Sequence, residues 1–295
     1  MQALYTLSSL LLLLPVFATL AAANSPLPDD LVQASLASPS ERGLELAMAS
    51  RPMWHFATMR PPFYTQRKRT CYPTSALNST GQQHGTQPQA WPNAGDNCVD
   101  PGPSGQGRPF PTYWNVKQCT HDEIRVIYSL YSQHDGFSNV IVAKGHMHDW
   151  ERIVVIWKRD AGTSSWTRAS VLKSMHSGYE SRSWSSIQST FDHANPGESG
   201  GKNKDGAKIY SGWAKHPFFD TKETKWRDSI SQGCQREFRN DEWWYMPQFE
   251  DMVWAAKESP EGQRLAGFSW GAATGGPWVV EEGICAKGEG GFVKC

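Results

Sequence analysis

The sequence predicts a mostly β, single-domain sandwich, and three observations carry that prediction. Short β-branched and aromatic runs separated by turn residues dominate the middle of the chain. One of them, Ile153 to Trp157, is apolar at every position, the pattern of a strand covered on both faces, in the middle of a sandwich or under a helix layer. The 295 residues include 14 Trp, enough core-forming side chains for one large domain, and all-β sandwiches commonly run past about 200 residues.

Taken in order, residues 1–23 read as a secretory signal peptide: a short apolar stretch broken by Pro15 and closed by Ala21-Ala22-Ala23. The folded domain is then expected over residues 24–295, outside the cell. A short helix is expected over Ser40 to Ser50. Residues 71–112, crowded with Pro, Gly, Ser, Asn and Gln, read as a long surface loop. Strands follow at Ile124–Tyr131, Val140–Val142, Ile153–Trp157 and Trp166–Leu172. Aromatic islands come next, among them Trp243-Trp244-Tyr245; alternation along a strand would leave one of those two Trp exposed.

Six cysteines in an oxidising compartment suggest three disulfides. Proximity favours Cys71 with Cys98 and Cys285 with Cys295, leaving Cys119 with Cys234. No C-x-x-C pair points to a zinc ribbon or redox site, and Asn78-Ser79-Thr80 is a glycosylation sequon. The 29 basic and 29 acidic side chains cancel, which argues against a bulk-cationic nucleic-acid surface.

Potential metal ligands are densest in Gly145-His146-Met147-His148-Asp149-Trp150-Glu151, preceded by His134-Asp135. In a fully extended strand the two histidines would face one way and the two carboxylates the other, so all four cannot converge. A bend at Gly145 would let Asp149 and Glu151 project together, His146 swing in, and Asp135 close the site. Three carboxylates favour Mg²⁺ or Ca²⁺. A zinc site would instead use His146, His148 and a third ligand such as His176. A purely structural role, with solvated edge carboxylates and packed histidines, is the remaining reading of the residues alone.

The heptapeptide GHMHDWE resembles the G-H-R-H-D-W-E centre of the necrosis- and ethylene-inducing-peptide-like proteins, secreted microbial cytolysins of plant-associated fungi, oomycetes and bacteria. The neighbours resemble the family in the same order: Ile127 to Ser129 before Asp135, Ser174 to Tyr179, Gly212 to His216, Asp241 to Pro247, Trp270 to Thr274, and Cys71-Tyr72-Pro73 with Cys98. The likeness spans residues 44–285. It implies a β-sandwich flanked by helices, similar to actinoporins and fungal lectins, with a divalent cation, Mg²⁺ or Ca²⁺, at one end.

On this resemblance Asp135, His146, Asp149 and Glu151 are the metal-site residues, and His148, His176 and Trp150 contribute to ligand binding or toxicity. The implied protein is not an enzyme. A monomer in solution, it binds its partner, the sugar headgroup of glycosyl inositol phosphorylceramide, a glycosphingolipid of plant plasma membranes, through peripheral contact with the membrane, which it then damages. Met147 stands where the family carries Arg, which removes a planar cation from the site. The alternatives are a non-cytolytic relative acting as a binding protein or immune elicitor, and a metal-assisted cell-wall hydrolase or lyase with His148 or His176 as general base.

Overall fold

Strand alternation builds the architecture. The computed structural model describes residues 24–59, 69–89, 97–103, 105–138, 143–175, 178–190, 201–213, 215–223 and 239–287. Helices α1 (Asp29–Ala37) and α2 (Leu44–Ala49) precede strand β1 (Met53–His55). Four long strands follow: β2 (Thr112–Thr120), β3 (Glu123–Ser138), β4 (Ala143–Asp160) and β5 (Ser165–Met175). Then come β6 (Gly178–Ser183), β7 (Gly206–Ser211), β8 (Trp243–Tyr245) and β9 (Met252–Trp254), with helices α3 (Pro260–Ala266) and α4 (Pro277–Gly283) last.

The larger sheet runs β5-β4-β3-β2-β9, extended by Leu27–Pro28 on the far side of β5, with β6 also pairing β5. The smaller sheet places β1 between β7 and β8. Ile153, Val155 and Trp157 of β4 face the smaller sheet, packing with Val126, Tyr128, Trp54, Ile209 and Tyr245. Val154 and Ile156 face the other way, with Ile127, Leu172 and Ile284. The apolar run is therefore covered by a sheet on one side and by the C-terminal segment on the other, which joins the two environments the sequence offered as alternatives.

Trp150 lies on that second side, among Tyr113, Tyr131, Leu265, Trp270 and Trp278. Its ring centroid is 5.4 Å from Trp270 and 5.6 Å from Trp278, edge to face. Helices α3 and α4 thus form a C-terminal cap on the larger sheet. Trp150→Ala should cost about 3–5 kcal/mol in urea unfolding. A cost below about 1 kcal/mol would mean that this cluster contributes little to stability.

Three expectations need correction. The helix expected from Ser40 begins only at Leu44, because Arg42 and Gly43 have φ of 51° and 88°, a left-handed pair that interrupts it. Helix α1 was not foreseen; Asp29 and Asp30 occupy its first turn, and Asp29 accepts a hydrogen bond from Trp166 Nε1 at 2.7 Å. Trp243 and Trp244 are both buried, since each face of β8 is covered: Trp243 Nε1 donates to the Pro103 carbonyl, and Trp244 packs with Met53 and Met246.

The disulfides are the third. Cys71–Cys98 forms as expected, but Cys285 joins Cys119, not Cys295, so Cys119 does not pair with Cys234. Folding of the cap back over the sheet overrides sequence proximity. Arg125, nearly buried, holds the cap's end by donating to the carbonyls of Ile284 and Lys287, each at 2.6 Å. Cys234, Cys295 and Val140–Val142 lie outside the described residues. The stretch 71–112 holds only short pairings, such as Cys71 with Cys98, among its described residues.

Candidate functional site

The site lies where β5 leaves β4. Their pairing runs as far as Lys173 opposite Ile153; beyond it, Ser174 pairs with Tyr179 of β6. The Ser174 hydroxyl takes over there, accepting the Arg152 N–H at 2.9 Å and donating to the Glu151 carboxylate. A ladder replaced by one side chain leaves an opening at the sheet's edge. Asp149 and Glu151 from one face of β4, and Trp150 and Arg152 from the other, consequently line one cavity of about 510 Å³.

Asp135 and His146 are paired across β3 and β4, as are Tyr131 and Trp150. Strict alternation would put all four on the face opposite Asp149. Left-handed backbone at Gly136 (φ 80°), Gly145 (φ 145°) and His148 (φ 63°) breaks the alternation. At Gly145 a Cβ would fall 1.9 Å from the Asp135 carbonyl oxygen, so only Gly passes there. The bend expected at Gly145 exists, but the strand runs through it, and His148 supplies a further change of direction.

The result is a buried, acidic cluster. Asp135, Asp149 and His216 each offer one ligand atom, all within 4.8 Å of one another, and form a candidate cation-binding triad. His216 Nδ1 lies 3.1 Å from Asp149 Oδ2. His146 stands beside them, its Nε2 3.8 Å from Asp135 Oδ2. Its Nδ1 donates to the His148 carbonyl at 2.8 Å, which turns Nε2 toward the carboxylate. Glu151 adjoins the triad and is engaged by Ser174.

Burial, and then the charge of Asp149, push the Asp135 carboxyl up to about 6 and the Glu151 carboxyl up to about 8. Carboxylates crowded in this way fit a divalent cation, whose charge would relieve both the repulsion and the desolvation. Two carboxylates with a third alongside and one imidazole make an oxygen-dominated donor set, suited to a hard cation.

A pH dependence follows. A carboxyl held above its unfolded value keeps a proton that the unfolded chain has lost, so stability falls as pH rises from the unfolded pKa toward the folded one. His55, buried and held down to about 3, acts in the opposite sense below about pH 6.5. Between about pH 6.5 and 8 the Glu151 effect should prevail. The melting temperature in chelator should decline across that window, and Ca²⁺ or Mg²⁺ should restore it. A flat profile unaffected by either ion would contradict the crowding described.

His148 and Trp150 point away from the triad. The His148 ring is buried, its Nδ1 2.7 Å from the Tyr131 hydroxyl and its ring centroid 5.1 Å from that of Trp270, edge to face. The zinc arrangement through His146 and His148 is therefore not assembled. His176 lies outside the described residues. His216 was not identified as a ligand from sequence, because it stands 67 residues from Asp149 and no spacing rule links them. Its signal was membership of the Gly212–His216 segment that shared in the family likeness.

A two-sheet sandwich with a capped outer face and a candidate cation triad defines a class of mostly β protein with a candidate site on its larger sheet. This chain belongs to the necrosis inducing protein (NPP1) family, whose model matches residues 57–257. No curated protein matches it. Among solved structures it is similar to the non-toxic HaNLP3 protein, at 17% identity over 80% of this chain and 84% of that one, TM-score 0.44. It is also similar to NLPPya in complex with mannosamine, at 19% identity over 85% and 88%, TM-score 0.41. A third, described as a toxin fold for microbial attack and plant defense, gives 20% identity over 85% and 88%, TM-score 0.40. Family membership rests on the family match and not on these superpositions.

Proposed function

We propose that this chain is a secreted, non-enzymatic cytolysin that binds the sugar headgroup of a plant plasma-membrane glycosphingolipid, glycosyl inositol phosphorylceramide, through a divalent cation and then damages the membrane. The observation that carries the reading is the candidate triad of Asp135, Asp149 and His216, two of whose members line the cavity, in a member of the necrosis-inducing family. Mg²⁺ or Ca²⁺ would be held by these residues, with Glu151 and His146 beside them. When bound, such an ion supplies coordination sites that sugar hydroxyls fill by displacing water.

The chain's own residues do the rest. Ser174 orients Glu151, the His148 carbonyl orients His146, and the Trp150 cluster makes the floor behind Asp149 rigid. With equal numbers of basic and acidic residues overall, attraction to a membrane would be local and headgroup-specific. Among the described residues no helix is long and apolar enough to cross a membrane, which suits peripheral contact as the first step.

Dye release from vesicles containing glycosyl inositol phosphorylceramide tests the proposal. Release is expected with Ca²⁺ or Mg²⁺ and loss of release with chelator. Binding without release would leave a non-cytolytic binding protein, and neither binding nor release by folded protein would overturn the reading altogether.

A further inference from the structure

The segment from Thr74 to Thr86 is tied to β3 at both ends. The Thr74 N–H donates to the Tyr131 carbonyl at 3.1 Å, and the Thr86 N–H to the Gln133 carbonyl at 3.0 Å. Between these points Ala76 and Leu77 are buried in the Trp150 cluster, and Gln83 Nε2 donates to the Ser269 carbonyl at 2.9 Å. The tip is Asn78-Ser79-Thr80, in which Ser79 and Thr80 are exposed. It is the only Asn-x-Ser/Thr sequence in the chain, and the function proposed above makes no use of it.

The turn uses one end of the Asn78 amide and spares the other. Oδ1 accepts from the Thr80 N–H at 3.0 Å, the Thr80 hydroxyl at 2.7 Å and the Gln82 N–H at 2.9 Å, which fixes the side chain. Nδ2 makes one long, solvent-exposed contact, 3.4 Å to Gln82 Oε1. Gly81, at φ 82°, closes the turn, and a Cβ there would fall 2.3 Å from Arg264 Nη2, so the turn is seated directly on α3. An amide whose oxygen is held and whose nitrogen has only that long contact can carry a substituent at little cost to the fold. Resting on the secretion contained in the function proposed above, we infer that Asn78 is a site of N-linked glycosylation. Its Nδ2 bonds to the anomeric carbon of an oligosaccharide and loses a proton, while the bond from that carbon to the diphosphate of a lipid-linked donor breaks and the lipid diphosphate leaves. No residue from Thr74 to Thr86 lines the cavity, so the glycan adds a sugar-clad patch beside the cap and takes nothing from the cavity's lining.

Expression of the full chain, residues 1–295, in a secreting yeast, followed by treatment with a peptide N-glycosidase, tests this. The chain in the medium should run as a heavier species that the enzyme returns to the size of the bare polypeptide, and mass spectrometry should then read residue 78 as Asp. Asn78→Asp, which keeps an acceptor oxygen for the turn, and Thr80→Ala should each abolish the shift. Thr80→Ser should keep it, because a hydroxyl at that position is what the sequence motif requires. A secreted chain without the glycan, or a shift that survives Asn78→Asp, would overturn the inference and leave the proposed function standing. A glycan at Asn78 on a chain that stays in the cells would support the inference and count against secretion. A chain retained in the cells without a glycan would overturn both.

Discussion

Asp149→Asn should lower divalent-cation affinity by at least about a hundredfold while raising the thermal stability of the ion-free protein. The two effects have one cause. Asp149 belongs to the triad, and its charge also raises the pKa of both Asp135 and Glu151. An isosteric amide removes that repulsion and a ligand together. Calorimetry for the ion and a melting curve in chelator would check both signs. A variant that lost stability as well as affinity would mean that Asp149 serves mainly to hold His216 in place. On the proposed function, the same substitution should abolish dye release.

Replacing Cys119 and Cys285 together by Ser should give the largest loss of stability. The crosslink joins residues 166 apart in sequence, and in the chain-entropy description closing a loop of that order stabilises by about 5 kcal/mol. Urea unfolding would measure it. The cap should also loosen, since Cys285 lies in the turn that follows α4, and with it the wall that Ile284 and Lys287 give the cavity. A loss below about 1 kcal/mol would show that the aromatic cluster and Arg125 hold the cap unaided.

Features set by local pattern were legible in the sequence. The apolar run from Ile153 to Trp157 reports its two covered faces because alternation has a period of two and both neighbours are apolar. Asp135, Asp149 and Glu151 were recognisable as a carboxylate-rich group, and alternation alone showed that His146 and His148 could not both join them on an extended strand. What stayed hidden depends on distant contacts. His216 comes from a segment without a spacing relation to β4, and Cys119 meets Cys285 only because the cap returns over the sheet. The left-handed backbone at His148 was not legible either; no local rule selects His there, and it sends the ring to Tyr131 and Trp270.

Strand β1 bears on what part of this chain can exist alone. Met53–His55 lies in the middle of the smaller sheet, parallel to β7 and antiparallel to β8, yet ends before residue 57, where the family match begins. Trp54 is also part of the core between the two sheets. A fragment cut to the matched segment would separate β7 from β8 and expose two unpaired strand edges, the surfaces most prone to association with other chains. The smallest self-sufficient unit must therefore begin upstream of Met53, and excision at the family boundaries should yield aggregating material.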